Sequence, residues 1–179
     1  MLPTLFPNQL DTMRNLLLLI TLITFQSVFA QYEDDVTSIE QIGKAYYEIV
    51  SGPIGEKRDF DRLRNLFHPD ARLTYSYWSE EDQVNKTMPM DIEGYIEKLD
   101  YLDKRGFYEE ELFVSSASYG SITQSISTYR FWMEDKTAEG RGFTSYQYFW
   151  DGERYWILSM FWMMESEKYP IPSQYLTNE

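Results

Sequence analysis

Along residues 37–53 the apolar positions Ile39, Ile42, Tyr46, Ile49 and Val50 recur at the three- and four-residue spacing of one helix face. Thr37-Ser38-Ile39-Glu40 in front of them fits a capping box, which satisfies free N–H groups at a helix start, and Ser51-Gly52-Pro53 ends the pattern. After Arg58 a shorter helix carries Phe60, Leu63, Leu66 and Phe67 on one side. It is expected to stop at His68-Pro69, because proline disfavours helical geometry in the residue before it. From Arg72 the period drops to two, with Leu73, Tyr75 and Tyr77 on one face and Arg72, Thr74 and Ser76 on the other. Residues 79–89 read as a polar loop. Asp91 can cap a third helix that buries Ile92, Tyr95, Ile96, Leu99 and Leu102 and ends near Gly106. The remainder reads as strands over 108–118, 122–133, 142–150 and 154–164. Its turns fall at Gly120-Ser121, at 135–140 and at Asp151-Gly152, the last a strong hairpin signal.

The final strand departs from simple alternation. Trp156, Leu158, Met160, Trp162 and Met164 are expected on one face, with Tyr155, Ile157, Ser159, Phe161 and Met163 opposite. Both faces are then largely apolar, whereas a strand with one wet face alternates apolar and polar residues. The pattern predicts a curved sheet covered on both sides. Helices or a partner cover one face, and a cavity lies on the other.

Before the first helix, a short basic start at Met13-Arg14-Asn15 leads into an apolar run from Leu16 to Phe25. Small residues then stand at Val28 and Ala30. This is the layout of a secretory signal peptide over residues 1–30, cleaved after Ala30, with Met13 as the expected true start. The apolar run is too short for a membrane span of about 20 residues. Residues 31–36 read as a flexible acidic lead-in, 37–165 as the folded domain and 166–179 as a C-terminal tail. The formal charge is −13, and processing leaves it unchanged, because Asp11 and Arg14 leave together. A surface this acidic repels phosphate backbones and anionic membranes, so neither nucleic acid nor membrane is expected as a partner after cleavage. Without cysteine there is no disulfide framework and no thiol nucleophile. Export without disulfides suits a bacterial periplasm or the cell exterior.

Leu66-Phe67-His68-Pro69-Asp70-Ala71-Arg72-Leu73 closes the second helix and opens the first strand. Arg141-Gly142-Phe143 through Asp151-Gly152 and Trp156-Ile157 through Trp162 build the closing strands. In this order and with these lengths the chain resembles the NTF2-like superfamily, the scaffold of ketosteroid isomerase, scytalone dehydratase and the SnoaL-type cyclases. The tail Pro170-Ile171-Pro172-Ser173-Gln174-Tyr175-Leu176 resembles that of a secreted bacterial branch without an assigned activity. The resemblance implies an α+β cone, a strongly curved antiparallel sheet wrapped around three N-terminal helices, with an interior pocket. It also implies a homodimer. It does not imply a reaction, because the scaffold hosts enzymes and binders alike. The isomerase's oxyanion donor, a tyrosine on the first helix, corresponds to Tyr46, or to Tyr47. The position of its general base is Tyr75, and its second aspartate falls near Gly142. A phenol of ordinary pKa about 10 is a poor base, so ketosteroid isomerase activity is not expected.

His68 is the only histidine, and no further ligands stand near it at metal spacing. No metal or cofactor is expected. Glu109-Glu110-Glu111 lies on a predicted strand, so Glu110 points away from its two neighbours, and one of the three can enter the cavity as a general acid or base. Tyr46 and Glu110 are the catalytic candidates, and Tyr46, Tyr75, Tyr77, Tyr129, Met160 and Trp162 the candidate pocket wall. Tyr146 and Tyr148 belong to the same tyrosine set, and the inward face of 142–150 stays open between them and Ser145/Gln147. Asp91 and Glu165 read first as a helix cap and a surface residue. The leading expectation is a secreted protein binding a small hydrophobic or aromatic molecule. The alternatives are a SnoaL-like cyclase, dehydratase or isomerase using tyrosines and one carboxylate, and a dimeric interaction module using the sheet face. A polar-lined cavity of about 300 Å³ or more with a buried carboxylate would favour the enzyme, and a cavity lined only by aromatics and Met the binder.

Overall fold

The computed structural model describes residues 32–176. The chain divides at Glu33, and the account below concerns the unit from Asp34 onward. The expected signal peptide and its cleavage after Ala30 lie outside the described residues. Helix α1 (Ile39–Val50) and the short α2 (Phe60–Leu66) precede strands β1 (Phe67–Ser79) and β2 (Val84–Met90). Then come α3 (Ile92–Leu99), the single turn α4 (Leu102–Arg105), and four long strands: β3 (Phe107–Tyr119), β4 (Ile122–Met133), β5 (Glu139–Trp150) and β6 (Tyr155–Met164). The strands form one curved, unclosed sheet in the order β2-β1-β6-β5-β4-β3, with the helices on its inner face. This is the expected α+β cone.

Several local expectations change. Residues 84–90, read as loop, pair antiparallel with β1 from Leu73↔Met90 to Ser79↔Val84. Strand β1 runs parallel to β6, so the sheet is mixed rather than wholly antiparallel. The second helix ends at Leu66, and His68 and Pro69 already belong to the irregular start of β1, where the register slips between Phe67 and Arg72. The third helix breaks at Asp100 and Tyr101 into α3 and α4. Its N-cap is Asp91, whose carboxylate accepts from the Gly94 N–H at 2.9 Å. The cap of α1 is Ser38 rather than Thr37, with its Oγ accepting from the Gln41 N–H at 3.2 Å.

The parity expected along β6 holds only from Met160 onward. Gln147 pairs with Ser159 and Tyr148 with Ile157, so Leu158 is an extra residue bulged out of the ladder. Tyr155 and Ile157 therefore turn to the core with Met160 and Trp162, and Trp156 packs edge-on against His68 outside it. On β5, Thr144, Tyr146 and Tyr148 are buried and Gln147 is exposed, which settles the face left open by the sequence.

Both ends of the domain are anchored. In the segment expected as a lead-in, Asp34–Val36 forms a 3-10 turn with Val36 buried, and Asp35 pairs with Arg62 at 2.7 Å. The tail crosses the outer sheet face. Tyr175 packs edge-on against Phe113 and Phe143, its carbonyl accepts from the Thr128 hydroxyl, and Ile171 is buried. Glu165 fixes the start of this strap, taking Arg141 through both oxygens and accepting from the Ile171 N–H. Part of the face expected to meet a second copy is thus covered by the chain itself, and Phe161 remains exposed beside it.

Candidate functional site

Between the helices and the inner sheet face lies a cavity of about 390 Å³. Its wall is aromatic and thioether-rich, and one carboxyl group enters it, that of Glu109. The placement follows from β3. Phe107 and Glu109 pair with Met133 and Phe131 on the inner face, whereas Tyr108 stacks on Trp132, and Glu110 pairs with Arg130, outside. Glu110, the candidate acid, therefore lies away from the cavity. The loop after α1 holds the strand in this register. Gly52 and Phe107 exchange two backbone hydrogen bonds of 2.8 and 3.0 Å, and the Ser51 hydroxyl bridges the Glu109 N–H and carbonyl.

The Glu109 carboxylate has no hydrogen-bond partner among the described residues. It keeps some accessible surface, which faces the cavity. The surrounding protein still strips it of most hydration, and that desolvation pushes its pKa up to about 8. No cation offsets the effect, since Lys98 stands exposed at the rim. The groups that feel the Glu109 charge are tyrosines: Tyr46 and Tyr47 from α1, Tyr95 from α3, Tyr101, Tyr129 from β4 and Tyr146 from β5. Burial raises each of their pKa values, so these phenols stay neutral hydrogen-bond donors across the physiological range.

Two of them form a pair. The Tyr46 and Tyr95 hydroxyls stand 2.5 Å apart. One donates to the other, which leaves the accepting phenol's own O–H free for a bound molecule. Tyr95 also meets Trp162 edge-on at 5.6 Å, and Trp162 meets Tyr75 at the same separation, so three rings make one corner of the cavity. Tyr129 reaches in because β5 has no side chain beneath it. A Cβ on Gly142 would sit 2.2 Å from the Tyr129 hydroxyl oxygen.

Of the residues expected on the wall, Tyr46, Tyr75, Tyr129, Met160 and Trp162 line the cavity. Tyr77 stacks on Tyr75 at 5.8 Å and stands beyond the wall. Tyr146 and Tyr148 line a second cavity of about 280 Å³, which shares Tyr46 with the first. There Glu111 accepts from the Ser127 hydroxyl at 2.7 Å, and the Ser127 oxygen lies 3.2 Å from that of Tyr47. Burial raises the Glu111 pKa, against the pull of Ser127. Glu109 and Tyr95 are the functional positions that sequence reasoning did not nominate. For Tyr95 the signal was a hydroxyl on the buried stripe of a helix, a group that needs a partner.

Among the described residues no cluster of His, Cys, Asp and Glu could hold a metal ion. No described helix is long and apolar enough to cross a membrane. What the site can do is enclose an apolar molecule, hold one oxygen with a phenol, and exchange one proton through Glu109.

Known protein families give no match to the chain, and neither do curated proteins. Solved structures do. An NTF2-like protein of unknown function from Pseudomonas putida superposes with a TM-score of 0.54 at 12% identity, over 73% of this chain and 88% of the other. A protein of unknown function with a cystatin-like fold from Nostoc punctiforme gives 0.53 at 10% identity, over 74% and 96%. The beta subunit of benzoate 1,2-dioxygenase from Burkholderia mallei gives 0.50 at 11% identity, over 78% and 97%. At such identities the likeness is one of fold.

Proposed function

We propose that this chain, which has the NTF2-like cone fold, is an exported protein that binds a small, largely apolar or aromatic molecule in the cavity around Glu109. The observation that carries the reading is the cavity itself. Its volume, about 390 Å³, falls within the range of small-molecule sites, and its wall is apolar and aromatic with few polar groups. Aromatic rings supply area, and the Tyr46–Tyr95 pair and Glu109 fix the orientation of one polar substituent. Native mass spectrometry of the full chain purified from bacterial hosts tests this. A bound small molecule that is lost on denaturation is expected, and Met90→Trp, which fills the wall from β2, removes it. Empty protein from every host, with Met90→Trp indistinguishable from the parent, refutes it.

One observation favours a second reading, turnover. A carboxyl with a pKa of about 8 can both give and take a proton near neutral pH, which suits a general acid–base group. With a phenol pair to hold an oxygen, it would serve an isomerisation or dehydration. Tyr75 does not take the base role, because burial raises its pKa. Deuterium exchange beside the carbonyl of a small cyclic ketone, followed by proton NMR, checks it. Exchange above the buffer rate that vanishes in Glu109→Gln supports turnover, and equal rates in both proteins refute it.

A further inference from the structure

We propose that the cavity selects organic ammonium ions, a protonated or quaternary amine on a small apolar body, through the Glu109 carboxylate and the aromatic wall around it. The inference rests on the binding reading above and names its ligand class.

Three observations on the molecule point to a cation. First, Glu109, the only carboxyl on a largely aromatic and Met-rich wall, has no hydrogen-bond or ion-pair partner among the described residues. Leaving a polar group unsatisfied in such a place is costly, and for a carboxylate the cost is largest. A neutral ligand recovers it by an ordinary hydrogen bond, whereas an ammonium group adds ion pairing to a charge-assisted hydrogen bond, roughly twice as strong as a neutral one. Second, rings with centroids 5.6 Å apart bound one corner of the same cavity. Aromatic surface of this kind attracts a cation more strongly than it does an anion, and cation–π attraction strengthens when water is excluded. Third, the charge balance is one-sided. The titratable groups that feel the Glu109 charge are Tyr46 and Tyr47 from α1, Tyr95 from α3, Tyr101 from the turn before α4, Tyr129 from β4 and Tyr146 from β5. Lys98 stands only at the exposed rim. No arginine or lysine inside the cavity would receive an anion, and a net charge of −13 draws cations toward the mouth.

The binding step balances as a proton exchange. Near neutral pH the empty site holds Glu109 as the neutral acid. The incoming ammonium pairs with the carboxylate and the carboxyl proton leaves to solvent, with no covalent change in the ligand. At pH 7 most of one proton should be released per ammonium bound, because a group with a pKa of about 8 is mostly protonated beforehand. A neutral ligand releases none.

Isothermal titration calorimetry of the full chain at pH 7, repeated in buffers of different ionisation enthalpy, tests this with three probes of similar shape. They are 2-phenylethylammonium, 2-phenylethanol and 3-phenylpropanoate. The expected order is ammonium at least tenfold tighter than alcohol, with the carboxylate weakest, and proton release for the ammonium alone. Glu109→Gln should weaken the ammonium at least tenfold more than the alcohol and abolish its proton release. If the alcohol binds as tightly as the ammonium, or Glu109→Gln weakens both equally, the cation inference falls and the binding reading stands. If none of the probes binds, the inference and the binding reading fall together.

Discussion

Placing Glu109 unpartnered in an apolar cavity has a measurable consequence for stability. In the unfolded chain the carboxyl titrates near its ordinary value of 4.5, and in the fold it titrates at about 8. Between those values the native state holds a proton that the unfolded state has lost. Stability must therefore fall as pH rises through this window, opposite to the usual behaviour of a salt-bridged carboxylate. Integrated between about pH 5 and pH 9, the two titrations differ by roughly 4 kcal/mol, and water entering the cavity lowers that ceiling. Glu109→Gln removes the titration while keeping the shape. Urea unfolding followed by far-UV circular dichroism at constant ionic strength gives both curves. The quantity to compare is the difference between parent and variant, because Glu111, whose pKa is also raised, titrates in both. The variant should gain on the parent as pH rises from 5 toward 8 and then level off, by up to roughly 4 kcal/mol of unfolding free energy over the window. A difference that stays flat to within about 1 kcal/mol from pH 5 to pH 9 would show that the carboxyl is hydrated or paired, and the description of the site would be wrong.

Other substitutions test neighbouring parts of the argument. Gly142→Ala drives a methyl group into the Tyr129 ring and should cost about 1–3 kcal/mol in urea unfolding. Gly43→Ala on α1 meets nothing within 4 Å and should gain about 0.5–1 kcal/mol; equal effects would contradict the close approach at Gly142. Tyr175→Ala removes two edge-on ring contacts from the strap and should cost about 1–3 kcal/mol, with a new tendency to self-associate seen in analytical ultracentrifugation. A change below about 0.3 kcal/mol with an unaltered sedimentation profile would mean that the tail does not hold the outer face.

Legibility in the sequence tracked locality. The helices, the closing strands and the Asp151 turn were visible because capping, period and turn residues act over a few positions. In the turn, the Asp151 side chain accepts from the Glu153 and Arg154 N–H groups, as short-range chemistry predicts. Strand β2 was invisible for a physical reason. It is an edge strand of mostly exposed residues without a regular apolar face and with Pro89 in it, and only its ladder to β1 makes it a strand. The parallel β1–β6 pairing is equally non-local. Tyr46, Tyr75, Tyr129, Met160 and Trp162 meet around one cavity because the stretches that carry them keep the periodicity of their strand or helix. Tyr77 lies one step further along β1, beyond the cavity wall. Glu110 was chosen over Glu109 because alternation alone cannot say which set of a strand faces in. Two bulges, one between Glu111 and Phe113 and one at Leu158, reset that parity midway.

Two acids two residues apart on β3 meet different fates. Glu109 and Glu111 both point inward from β3, but Tyr46 lies between the spaces they enter. Glu111 pairs with Tyr129 on β4 but reaches Ser127 diagonally and accepts that hydroxyl's hydrogen bond, within a row of hydroxyls that continues through Ser116 and Ser125. Its polarity is answered by the protein, and nothing further is needed to explain it. Glu109 faces β4 where it carries Tyr129 and Phe131, and there the protein offers only ring and thioether surface. The same residue type, on the same strand and the same face, is satisfied in one cavity and left open in the other. An acid left open within rings, where Ser127-like hydroxyls are available one step along the neighbouring strand, is better explained as a group awaiting a ligand than as filler. The pH dependence of stability reads how open it is, and the ammonium–alcohol comparison reads what closes it.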